Sequence, residues 1–168
     1  MFFDDNRIEV LDPSVDYDDL EKFAKSRGVP YYENDVASKW CAYAQKYGLE
    51  NGLTYSEQLS FSYIISSIFG GMGFSCSTEA YYREEEIELI SINKLNELRD
   101  SNLDESDVMK SLFNYIFSLY EDIEKYTYKT ERISFKISLS MAERFEKIEG
   151  GSKSDKFRML VQNYKRMG

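Results

Sequence analysis

The chain contains no histidine. That absence removes the commonest general base, the usual serine and cysteine triads, and most zinc sites. Only two prolines interrupt the sequence, which suits a mostly helical protein. Its two cysteines, Cys41 and Cys76, lie far apart without metal-ligand spacing, so they read as buried, reduced thiols. No long hydrophobic run is present. The longest apolar stretch, Phe61 to Met72, is broken by serines and glycines and is too polar to span a membrane. The first residues, Met1-Phe2-Phe3-Asp4-Asp5, do not have the form of a basic-then-apolar leader. The expectation is a cytoplasmic protein in a reducing compartment, without membrane contact, metal or cofactor, and not an enzyme.

Apolar side chains are ample. They make up 42% of the 168 residues, with 14 Tyr and 11 Phe, enough for a real core. Basic charge is scarce overall: the formal net charge is -9. The scarcity is uneven. Residues 129–168 hold ten basic and five acidic side chains, a balance of +5, whereas residues 1–128 hold 11 basic and 25 acidic, a balance of -14. Such a split separates a nucleic-acid-facing part from another part. It defines two expected domains, an acidic, mostly helical one over 1–128 and a basic one over 129–168.

Along the first domain, Arg7 to Leu11 suggests a brief strand and Asp12-Pro13-Ser14 a turn. Asp16 to Gly28 reads as a helix with acids in its first turn, bases in its last, and Gly28 as its C-terminal stop. A second helix is expected from about Asn34 to Tyr47, with Val36, Trp40, Tyr43 and Tyr47 on one face and Gly48 ending it. Thr54 or Ser56 caps a third, running through Phe69; Thr54-x-x-Glu57 has capping-box form. This helix is apolar on nearly all sides, so it is the expected central helix.

Gly70-Gly71-Met72-Gly73 reads as a flexible turn. A phosphate cradle would need a preceding strand and, often, a lysine. Ser77-Thr78-Glu79 suggests the start of a helix bearing Glu84, Glu85 and Glu86 as a solvated face. Ile87 to Leu98 alternates early and turns helical later, leaving its state open. Asp104 or Ser106 caps a long helix to about Tyr126, whose aromatic stripe is read as core, with a partner-helix seat as the alternative.

The basic domain changes period. From Arg132 to Leu139 the chain alternates, with Ile133, Phe135, Ile137 and Leu139 on one face and Arg132, Ser134, Lys136 and Ser138 on the other. From Ser140 the spacing is helical, with Met141, Phe145 and Ile148 in one stripe and Ser140-x-x-Glu143 as a capping box. Gly150-Gly151 ends that helix. Ser152 or Ser154 caps the next, whose stripe is Phe157, Leu160, Val161 and Tyr164. Strand, short helix, Gly-Ser turn, second helix: over Arg132 to Arg166 this order resembles the ribbon-helix-helix superfamily, the Arc and Met repressor class. The alternative is one strand and two helices completing the core of the first domain.

The resemblance implies a mainly α protein whose C-terminal unit folds only as a homodimer or higher oligomer. Its dimer core would be Ile133, Phe135, Ile137, Met141, Phe145, Phe157, Leu160, Val161 and Tyr164, because a lone strand needs backbone partners. It implies that Arg132, Ser134 and Lys136 read base edges of double-stranded DNA in the major groove, with Ser134, Lys136 and Ser138 as the other possible triplet. It further implies that Ser152, Lys153, Ser154, Lys156 and Arg158 contact DNA phosphates. The leading expectation is thus a dimeric, sequence-specific DNA-binding regulator of a phage, plasmid or bacterial operon. The second is an acidic inhibitor or adaptor that binds a basic protein through residues 1–128. A phage counter-defence (anti-CRISPR-like) protein with an autoregulatory DNA-binding unit would combine the two.

Overall fold

The computed structural model describes residues 3–74 and 81–128, together with Ser140, which is helical and exposed. The chain divides into two units, Met1–Lys129 and Thr130–Gly168. The first is built of α1 (Ile8–Leu11), α2 (Tyr17–Ser26), α3 (Val36–Glu50), α4 (Tyr55–Gly70), α5 (Glu84–Asp100) and α6 (Glu105–Leu119). Short 3-10 segments, Asp5–Arg7 and Tyr120–Tyr126, precede α1 and follow α6.

The centre is the hairpin of α3 and α4, which make the most extensive helix-helix packing in the domain. Around it, α2 lies on α3, α5 on α4, and α6 on α5 and α4. The sequence dictates this centre. Around α4, Leu59, Phe61, Ile64, Ile65, Ile68 and Phe69 are all buried, so the helix offers solvent almost no face. Phe113 of α6 packs against Tyr43, Tyr47, Phe61 and Phe69, with ring centroids 5.0–6.1 Å apart. The aromatic stripe of α6 is therefore core, as its spacing suggests.

Side-chain caps start α2, α4 and α6. The Asp16 carboxylate accepts from the Asp18 and Asp19 amides at 2.9 and 3.4 Å, which starts α2. Thr54 and Glu57 form the expected capping box at α4. Asp104 caps α6 by accepting from the Asp107 amide at 2.8 Å. Gly28 ends α2 at φ +69°, and buried Val29 donates back to the Ala24 carbonyl at 2.9 Å.

Four local expectations change. Arg7 to Leu11 is no strand: Asp5–Arg7 is a 3-10 turn and Ile8–Leu11 a helical turn that buries Ile8. Gly48 does not stop α3. It lies inside the helix, where a Cβ would meet Leu53 at 3.0 Å, so it admits the following loop; the helix runs on to Glu50 and turns at Asn51-Gly52. The helix bearing Glu84 to Glu86 begins at Glu84, after Arg83, and is helical throughout Ile87 to Leu98. Ser77, Thr78 and Glu79 lie outside the described residues. The long last helix breaks at Asp122 (φ -122°, ψ 39°) within the 3-10 segment.

The fold class is corrected as well. A helical domain is present, but among the described residues there is no strand: they are all-helical and contain no ribbon, against the expected helical domain with a ribbon-helix-helix unit. The sole extended pairing among them is one antiparallel bridge, Tyr82 with Thr127. Elsewhere in these residues backbone donors are consumed within helices and turns, which leaves no edge to build a sheet from. The segment from Arg132 to Leu139, on which the ribbon depended, lies outside the described residues. Among the described residues no helix is long and apolar enough to cross a membrane.

Candidate functional site

Two polar constellations stand out in the helical domain, one inside and one at the surface. The inner one is a seam between α4, α5 and the 3-10 segment. The hydroxyls of Ser60 and Tyr120 are 2.7 Å apart and both residues are buried. Two turns further along α4, the Ser67 hydroxyl donates to Glu88 at 2.6 Å. Burial raises the pKa of Glu84, the adjacent Ser60 hydroxyl pulls the other way, and the Glu88 charge adds to the rise. Tyr120 is pushed well above the ordinary phenol range by burial, against the same Ser60 contact. Tyr82 rises by burial and the Glu57 charge. Neutral hydroxyls holding one half-buried carboxylate make a packing device.

The outer constellation is a cleft of about 370 Å³ lined by Asn6, Tyr17, Asp18, Glu21, Tyr31, Glu33 and Lys39. Four segments supply it, Asn6 coming from the 3-10 turn Asp5–Arg7. Tyr17, Asp18 and Glu21 come from the first turns of α2, Lys39 from the first turn of α3, and Tyr31 and Glu33 from the loop between them. Ser38 fixes that loop: its hydroxyl donates to the Asp35 carbonyl at 2.9 Å and accepts from the Tyr32 amide at 3.1 Å. The Tyr31 hydroxyl reaches the Tyr17 carbonyl at 3.5 Å. The Lys39 ammonium sits 5.3 Å from the centroid of the Tyr17 ring. Among the described residues no carboxylate group is gathered tightly enough to hold a metal ion. The cleft therefore offers diffuse negative charge beside aromatic rings.

A wider hollow of about 740 Å³ is lined by Arg83, Asp122, Glu124, Lys125, Thr127 and Tyr128. Its charges balance, and Arg83 is already held by the Lys125 carbonyl and by Glu86 at 3.3 Å.

The residues expected to contact DNA bases (Arg132, Ser134, Lys136) and phosphates (Ser152, Lys153, Ser154, Lys156, Arg158) lie outside the described residues. So do all nine of the expected dimer core, Ile133, Phe135, Ile137, Met141, Phe145, Phe157, Leu160, Val161 and Tyr164. Sequence reading passed over Tyr17, Tyr31, Glu33 and Lys39. The acids opening α2 were visible, but only the fold brings the Tyr31 loop and Lys39 beside them. No family model, curated protein or solved structure matches this chain.

Proposed function

We propose that the helical domain is an acidic protein-binding module, an inhibitor or adaptor that engages the basic face of a partner protein. The observation that supports this is a domain with its own aromatic core whose excess of -14 over residues 1–128 is carried largely by exposed carboxylates, among them Asp18, Asp19, Glu33, Glu85, Glu86, Glu121, Asp122 and Glu124. A surface of one sign steers and holds a partner of the other. Affinity capture with the full chain at rising salt tests it. A partner with a basic face should be retained at low salt, released by salt, and lost on reversing Asp18 and Glu33, or Glu85 and Glu86, to lysine. Retention indifferent to both salt and charge reversal argues against the module.

A second reading rests on the charge of residues 129–168 alone. Their balance of +5 suits duplex DNA, with Arg132, Lys136, Lys153, Lys156 and Arg158 as the contacting cations. Mobility-shift titration at two salt concentrations checks this. Binding that weakens with salt and is lost in the Arg132→Ala, Lys136→Ala double variant supports it; unchanged binding by that variant removes those two residues from the interface.

A further inference from the structure

We infer that Asn51 is a modification site: it loses its side-chain amide without an enzyme and becomes aspartate or isoaspartate. The inference goes beyond the protein-binding reading and does not depend on it. Asn51 is the sole asparagine of the chain that is followed by glycine. The reaction needs the backbone nitrogen of the next residue to reach the asparagine Cγ, and a glycine there has no Cβ to block the approach. The fold leaves the place open. Asn51 and Gly52 are both exposed, in the turn that joins α3 to α4. Gly52 sits at φ +86°, and even a Cβ added to it would meet nothing within 4 Å. Its amide is held loosely, donating to the Leu49 carbonyl at 3.4 Å. The Asn51 side chain is held more firmly, donating to the Tyr47 carbonyl at 2.8 Å, but the Asn51 backbone amide donates to the same carbonyl at 3.0 Å. Release of the side chain therefore leaves that carbonyl with a partner, and the freed amide is exposed to water.

In the step, the Gly52 nitrogen gives its proton to solvent and forms a bond to the Asn51 Cγ. The Cγ–Nδ2 bond breaks, and the amide group leaves as ammonia after taking a proton from solvent, which closes a five-membered imide. Water then opens either imide carbonyl. One opening gives aspartate; the other gives isoaspartate, in which the main chain runs through the former side chain. Either product puts a carboxylate at the C-terminal end of α3 beside Glu50, against the negative end of the helix, and removes the side-chain donor to Tyr47. Isoaspartate also lengthens the connection within the α3–α4 hairpin, the centre of the domain. Asn102 is the comparison within the same fold. It too is exposed, follows a helix end and holds a positive φ of 59°, but Leu103 follows it and brings a Cβ and a branched side chain beside the attacking nitrogen.

The test incubates the full chain at neutral pH and physiological temperature and follows its tryptic peptides by mass spectrometry, with the chain unfolded in urea as the clock. Peptide 47–83 holds Asn51 as its sole asparagine, and peptide 100–110 holds Asn102 as its own. Peptide 47–83 should gain the amide-to-acid mass difference, as separable aspartate and isoaspartate forms, roughly tenfold or more faster than peptide 100–110. Asn51→Gln should stop that gain, because its longer side chain would have to close a six-membered imide. Converted protein separated by anion exchange should melt about 1–5 °C below the fresh chain, and Asn51→Asp should reproduce the share of the drop that comes from charge. Equal rates at the two peptides overturn the inference, as does an intact amide in peptide 47–83 of the folded chain after the unfolded chain has converted. Conversion of that peptide that persists in Asn51→Gln overturns it too. Converted protein that melts no lower overturns the cost assigned to the end of α3.

Discussion

The polar seam inside α4 and the cleft beside α2 use similar residue types, serine or tyrosine hydroxyls with glutamate, to opposite ends. In the seam each hydroxyl is spent on the fold. Ser62 and Ser66 donate to carbonyls one turn back at 2.9 and 3.1 Å, Ser60 meets Tyr120, and Ser67 meets Glu88. Small polar residues let α4 lie close to its neighbours while leaving few buried groups without a partner. In the cleft the carboxylates of Asp18 and Glu33 are exposed to solvent, and the Lys39 ammonium lies 5.3 Å from the Tyr17 ring centroid. The lesson is that composition does not mark a functional site in this chain; the degree to which polar groups satisfy each other does.

The comparison can be broken most severely at its interior. Phe61→Ala empties the site around which Phe113, Phe117 and Tyr120 pack, and should cost about 3–5 kcal/mol by urea denaturation. Gly70→Ala comes next. Its Cβ would fall 2.4 Å from the Ala37 Cα, a backbone clash between α4 and α3, so a loss of about 1–3 kcal/mol in the same measurement is expected. Thr54→Ala removes the capping box of α4 and should cost about 1 kcal/mol, read as a lower melting temperature with unchanged helix content.

The smallest effect sharpens the seam. Glu84 holds its proton more tightly in the folded protein than in the unfolded chain, because of burial first and the Glu88 charge also. Its protonated form favours the fold at low pH, and that contribution is lost as pH rises from the ordinary carboxylate range through the raised folded value. Glu84→Gln stays neutral, so the wild type should lose stability relative to this variant over that interval. The difference should be under about 1 kcal/mol, since Glu84 is only half buried and solvent screens it. Paired denaturation curves across pH show whether the stability difference grows in that direction; the opposite slope would mean that the ionised carboxylate is welcome in the seam.

Most of the helical domain was legible in its residues. Asp16, Thr54 and Asp104 announce helix starts because their oxygens accept from amides a few positions on, an interaction local in sequence. The unbroken apolar character of α4 identifies it as the centre. What was misread depended on packing against residues outside the helix itself. Gly48 looks like a stop, and only the loop packed against it at Leu53 explains a glycine within a helix. The Gly70-Gly71-Met72-Gly73 run reads as a turn, and Gly71 does end α4 at φ +80°, but Gly70 is there because Ala37 of α3 leaves no room for a Cβ. Glu84 looks like one of three solvated acids, yet the packing of α5 on α4 turns it toward Ser60. None of the cleft could be seen, since Tyr17, Tyr31 and Lys39 belong to different segments.

By itself, then, the sequence determined where α2, α4 and α6 start, which helix is central, and that charge is divided between an acidic and a basic part. Those properties follow from composition and from interactions that span a turn or less. Tertiary structure decided which carboxylates are spent and which remain available. It also placed Lys39 of α3 over the Tyr17 ring of α2. Both depend on which segments pack together, because a charge beside an aromatic face is set by positions in space rather than by order along the chain.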